Sequence, residues 1–92
     1  MLNAFVLIDA EPARIAELAT ELTDVPGVAE VYSVSGEPDL VAVVRVRHHD
    51  ELAEVVTGRI SALAGITRTR TLVAFKAYSR HDLEALWDLG GE

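Results

Sequence analysis

The sequence contains no cysteine, which removes disulfide bridges, thiolate nucleophiles and thiolate metal ligands together. Cations are scarce: Lys and Arg number 8 against 15 Asp and Glu, for a formal net charge of −7. Phosphate contacts supply most non-specific affinity for nucleic acid, so no direct nucleic-acid binding is expected from a chain this acidic. Only Arg45/Arg47 and Arg68/Arg70 come near to a basic cluster. The same acidity argues against a basic helix on a membrane surface. Long apolar runs are absent too. Residues 1–8, MLNAFVLI, are too short to span a bilayer, lack a cationic leader and continue into a strand pattern. No membrane partner is expected, and cytoplasmic residence is. There is no Ser-His-Asp signature, no phosphate-cradling glycine-rich loop, no G-x-G-x-x-G and no zinc-ligand spacing. No catalytic residue, metal ligand or cofactor is therefore assigned.

What is present is a globular composition, half apolar and one quarter charged, in 92 residues. That length supports one domain with a modest core, and a domain this small gains from burying more surface in an oligomer. LNAFVLID (2–9) predicts a strand with Leu2, Ala4, Val6 and Ile8 on one face and Phe5 and Leu7 on the other. Pro12 suits the first turn of a helix. There Ile15, Leu18, Ala19 and Leu22 form one stripe, and Pro26-Gly27 ends it. Strands are predicted over 28–35 and 39–47. The second helix takes Asp50 as N-cap and carries Leu52, Val55, Val56, Ile60 and Leu63, with Gly58 inside it read as a close packing contact. A long last strand covers 66–79, and a short helix with Leu83, Leu86 and Trp87 covers the tail.

The order β-α-β-β-α-β contains two interleaved split βαβ units, marked by a Gly and a β-branched residue at each helix-to-strand junction (Gly27-Val28, Gly65-Ile66). The expected class is α+β: a ferredoxin-like antiparallel sheet with both helices on one face. Phe5, Leu7, Val41, Val43, Val73 and Phe75 then fall on the uncovered face. Apolar sheet surface is rarely left in water. A homodimer packed sheet against sheet, like an α+β barrel, is the expectation.

Between the second and third strands lies Ser35-Gly36-Glu37-Pro38-Asp39. As a turn, Gly36 supplies a permissive φ, Pro38 stops strand pairing and Asp39 holds loop N–H groups. As a site, the loop N–H groups would grip a carboxylate while Asp39 or Glu37 attracts an ammonium, the two ends of a free amino acid. His48 and His49 point opposite ways on an extended chain and mark a strand-helix junction rather than a metal site. His81 is given no role. Thr67-Arg68-Thr69-Arg70-Thr71 reads as an edge strand, Thr on one face and Arg on the other, or as hydroxyls and guanidinium groups facing a ligand or a neighbouring subunit.

The stretch from Pro26 to Val46, PGVAEVYSVSGEPDLVAVVRV, resembles the ligand-binding domain of the Lrp/AsnC transcription regulators, also called RAM for regulation of amino acid metabolism. The likeness lies in a Pro-Gly-Val, a strand, a Gly-x-x-Asp turn (Gly36 to Asp39) and an apolar strand. It continues in Glu51-Leu52, Leu63-Ala64-Gly65-Ile66 and Thr67-Arg68-Thr69. The resemblance implies a RAM-like domain over 1–79, with 80–92 a short helix and tail of the same domain. It implies dimers that can assemble into a ring, often an octamer. It further implies an amino acid or similar effector at the contacts between dimers, with Ser35, Gly36, Glu37, Asp39 and Leu40 as contacts and Thr67 and Thr69 contributed from another subunit. Full-length regulators carry a helix-turn-helix domain for which there is no room before Asn3, so a stand-alone form is expected, acting through a DNA-binding paralogue. Pro38 departs from the family's turn. The rival expectation is a cofactor-free dimeric α+β barrel enzyme, a small monooxygenase or isomerase. Its pocket would need a His, Tyr or acid between helices and sheet, where the face of Leu40, Ala42, Val44 and Val46 is wholly apolar.

Overall fold

The structure, a computed structural model, describes residues 1–80. The helix expected around Leu83, Leu86 and Trp87, together with His81, lies outside the described residues. Strand β1 (Leu2–Ala10) leads through a 3-10 turn (Pro12–Arg14) into α1 (Ile15–Thr23). Then come β2 (Val28–Ser33), β3 (Leu40–Val46), α2 (His49–Ala53), a π-helical continuation (Glu54–Ile60) and β4 (Ile66–Val73). The strands form one four-stranded sheet in the order β2-β3-β1-β4, every neighbouring pair antiparallel. This is the expected βαββαβ ferredoxin-like arrangement, with β2 and β4 as the edges.

The alternation in the sequence decides which face is covered. Ala4, Val6, Ile8, Leu40, Ala42 and Val44 are wholly buried, beneath Leu18 and Leu22 of α1 and Val55 and Ile60 of the second helical segment. Among the described residues no helix lies on the opposite face. Cross-strand partners share a face, and Phe5 pairs with Val43 and Leu7 with Val41, so these four side chains occupy the centre of the open face. Phe5 is 40% exposed there.

The two βαβ halves close in matching ways. Gly27 and Gly65 both take positive φ, and each carbonyl accepts a backbone N–H from a neighbouring strand region: Arg45 to Gly27 at 2.9 Å and Glu11 to Gly65 at 2.8 Å. The carbonyl just before each glycine accepts an arginine from the opposite helical segment. Arg59 Nη1 donates to Pro26 O at 2.8 Å, and Arg14 Nη2 to Ala64 O at 3.2 Å. Arg14 also pairs with Glu17 and, at 3.0 Å, with Glu21, which raises its pKa, the Glu21 hydrogen bond being the largest cause. Each helix is thereby tied to the junction that follows the other.

Several sequence expectations are corrected. Asp50 is not the N-cap: His48 occupies that position, with no side-chain cap, and Asp50 falls in the first turn, where the helix dipole still favours a carboxylate. Gly58 makes no close contact, since a Cβ there would meet nothing within 4 Å. The helix it interrupts widens to π geometry, with the Ser61 N–H reaching back to Val56 O at 3.2 Å. The last strand stops at Val73 rather than Ser79. Ala74 N still donates to Asn3 O at 2.8 Å, while the regular ladder with β1 ends at the Ala4–Val73 pair.

Candidate functional site

One end of the sheet gathers the residues singled out by the turn motif. At that end β1 finishes, β4 begins and the loop 34–39 joins β2 to β3. Gly36 has φ +88° and open space where a Cβ would sit, so backbone conformation alone demands glycine. Pro38 is buried and follows a cis peptide bond. Asp39 is the anchor. Its N–H donates to Ile8 O at 3.0 Å, its carbonyl accepts from Val34 N at 3.3 Å, and its Oδ2 accepts the Ala10 N–H at 2.9 Å. The pairing register shifts between Asp9 and Ala10, which frees the Ala10 N–H from the ladder. The carboxylate thus fills a gap in the backbone of β1 rather than bonding N–H groups of its own loop.

Ser35, Gly36 and Glu37 are exposed, and among the described residues their N–H groups donate to no protein acceptor. Leu40 is wholly buried, backbone and side chain alike, so within one protomer it presents no surface to a ligand. Ile8 pairs with Leu40 on one side and with Thr69 on the other. That row brings the turn and the start of β4 to the same end of one protomer, two strand spacings or about 10 Å apart. Thr69 is half-buried on the helix-covered face and Thr67 is exposed. Arg68 and Arg70 pair with Asp9 and Leu7 on the open face, so the expected segregation of Thr from Arg holds.

The open face contains a second arrangement that sequence reasoning missed. Tyr32 pairs with Val41, and its hydroxyl donates to the Glu30 carboxylate, whose other oxygen accepts from Arg45 Nη2 at 3.0 Å. The Tyr32 hydrogen bond, then Arg45, holds the Glu30 pKa below its ordinary value, and the same bond raises that of Tyr32. These groups, with Asn3, Phe5 and Val43, line a concavity of about 430 Å³. The signal was available, because Asn3, Glu30, Tyr32 and Arg45 share parity with Phe5 and Val43.

Two expected interface residues are placed differently. Val73 pairs with Ala4 and lies on the helix-covered face; Leu72, paired with Phe5, takes the open face and is 55% exposed. Phe75 lies past the strand in a bend. Among the described residues there is no group of His, Asp and Glu that could hold a metal ion, and no helix long and apolar enough to cross a membrane.

The profile of the Lrp/AsnC ligand binding domain matches residues 3–83. A helix-turn-helix-type transcriptional regulator of Pyrococcus horikoshii, itself uncharacterised, is 35% identical over 79% of this chain and 51% of its own length. The chain spans about half the length of the curated relatives it matches. A crystal structure of a Thermus thermophilus protein is 50% identical, with a TM-score of 0.82, over 87% of this chain and all of that one (100%). A feast or famine regulatory protein of M. tuberculosis, solved in complex with L-methionine, is 32% identical, with a TM-score of 0.72, over 87% of this chain and 54% of its own.

Proposed function

This chain belongs to the Lrp/AsnC ligand-binding domain family, a non-enzymatic family of regulators, and from that premise we propose that it is an effector-sensing module that works by self-association. The open face carries the reading: Phe5, Leu7, Val41 and Val43 present an apolar centre that no element among the described residues covers. Two copies joined through these faces bury that surface, and dimers associate further into a ring. An amino acid or related metabolite binds between dimers at the sheet end formed by Ser35, Gly36, Glu37 and Asp39, with Thr67 and Thr69 beside them. The free N–H groups of the turn suit a carboxylate. The M. tuberculosis relative's L-methionine supports an amino acid as the ligand class. Because Asp39 already holds the Ala10 N–H, only its remaining oxygen is open to an ammonium group.

The mechanism is linkage. An effector that binds the assembled ring more tightly than the free dimer shifts the population toward the ring; equal affinity for both shifts nothing. The output is assembly in the cytoplasm with a DNA-binding paralogue, since the chain's own charge opposes contact with phosphates. The test is oligomer size and melting temperature with each of the common amino acids, methionine included. A shift specific to one amino acid or a related group, lost in Asp39→Asn, is the expected result. Oligomer size and melting temperature indifferent to all of them overturn the sensing role.

A further inference from the structure

The two arginines that hold the helix-to-strand junctions are not equally satisfied. Arg14 bonds Ala64 O and also meets two carboxylates, those of Glu17 and Glu21. Arg59 donates through Nη1 to Pro26 O at 2.8 Å, but the carboxylate it meets, Glu54, stands 3.8 Å from Nη2, beyond hydrogen-bond reach. Where Arg14 has its second carboxylate, Arg59 borders a hollow of about 280 Å³. The hollow lies at the sheet end where β1 begins and β3 finishes. The length of β1, about 25 Å, separates it from the turn 34–39.

The charges lining the hollow are balanced. Arg47 and Arg59 face it together with Glu51 and Glu54. Arg47 is exposed and Glu51 half-buried, and among the described residues neither has an ion pair. Arg45 also lines the hollow, but its guanidinium is already held by Glu30 at 3.0 Å. Pro26, Gly27 and Val46 add uncharged wall.

We propose that this hollow binds a small zwitterion, with its carboxylate on Arg47 and Arg59 and its ammonium on Glu51 and Glu54. A guanidinium takes a carboxylate through paired N–H donors, and among the described residues Arg59 Nε and Nη2 make no hydrogen bond. Glu51 and Glu54 decide the class of ligand. A phosphate or a dicarboxylate would bring further negative charge against them, and a plain monocarboxylate would leave them without a cation. A molecule carrying both signs matches all four groups. The site shares no residue with the turn, so it stands independently of the effector site proposed above.

L-alanine, β-alanine and propionate separate the charges, because all three are three-carbon acids and only the first two carry an ammonium. Each is titrated, alongside inorganic phosphate, into the full chain while backbone amide signals are followed by nuclear magnetic resonance. Gly27 reports the hollow and Gly36 reports the turn. One or both alanines should move the Gly27 signal saturably, and propionate and phosphate should not. Asp39→Asn should leave that movement intact. Arg47→Gln should raise the half-saturating concentration about tenfold, as for loss of a charge-assisted hydrogen bond, with signals far from the hollow unchanged. Glu51→Gln should narrow the preference for the alanines over propionate. A Gly27 signal that no alanine moves overturns the site, and movement at Gly36 alone does so while leaving the effector site standing. Propionate or phosphate as effective as the alanines overturns the zwitterion assignment. Binding indifferent to Arg47→Gln, or abolished by Asp39→Asn, overturns the placement.

Discussion

Asp39 is the residue where stability and the proposed recognition can be separated. Its Oδ2 accepts the Ala10 N–H at 2.9 Å, and Ala10 is only 8% exposed. Replacement by alanine leaves that N–H at a strand irregularity without an acceptor and with restricted access to water. A lost hydrogen bond to a charged acceptor costs about 1.5–3 kcal/mol, and the partial exposure of Asp39 points to the lower part, about 1.5–2 kcal/mol. For a domain of this size about 1 kcal/mol moves Tm by about 4–8 °C, so Asp39→Ala should melt roughly 5–15 °C lower. Asparagine keeps a carbonyl oxygen in the same place and discards the charge. Asp39→Asn should therefore stay within about 5 °C of wild type while losing the melting shift that an amino-acid effector produces. The assay is thermal denaturation of the three proteins at one fixed concentration, since association makes Tm depend on it. Equal melting of Asp39→Ala and wild type would refute the argument that the carboxylate secures the end of β1.

Other positions give further checks by the same melting and chemical-denaturation measurements. A Cβ at Gly27 would stand 2.6 Å from Val55 Cγ2 at a backbone φ of +99°, so Gly27→Ala should cost about 2 kcal/mol or more. Gly58→Ala meets open space in a helical segment and should be neutral or stabilising by up to about 1 kcal/mol, a difference in sign that tests the packing account directly. Leu40→Ala removes a wholly buried side chain and should cost about 2–5 kcal/mol whether or not effector is present. Glu30 titrates below its ordinary 4.5 when folded, because Tyr32 and then Arg45 favour the carboxylate. Its contribution is therefore complete above pH 4.5 and is lost as pH falls through the folded value. In urea, Glu30→Gln should be less stable than wild type near neutrality, and the two should converge in acid; a gap constant with pH would count against the Tyr32-Glu30-Arg45 cluster.

The sequence by itself determined which of the described elements form and, for β1 and β3, which faces they bury. Alternation is local: Ala4, Val6 and Ile8 against Phe5 and Leu7 can be sorted without knowing a single partner strand. Pro12, Gly27 and Gly65 mark boundaries for equally local reasons of backbone geometry. The Gly-x-x-Asp turn and its place between two strands were legible in the same way. Only the tertiary structure decided what depends on register and on distant neighbours. In ITRTRTLV each parity carries polar residues through its middle and ends apolar, so nothing local says whether Val73 or Leu72 joins the open face; pairing with Ala4 and Phe5 settles it. The partner of Asp39 is 29 residues away at a shift in the β1 ladder, and Arg14 reaches a carbonyl 50 residues along the chain. Side-chain preference acts over a few residues, whereas a strand's end, its register and its hydrogen-bond partners are set by another part of the chain folding against it.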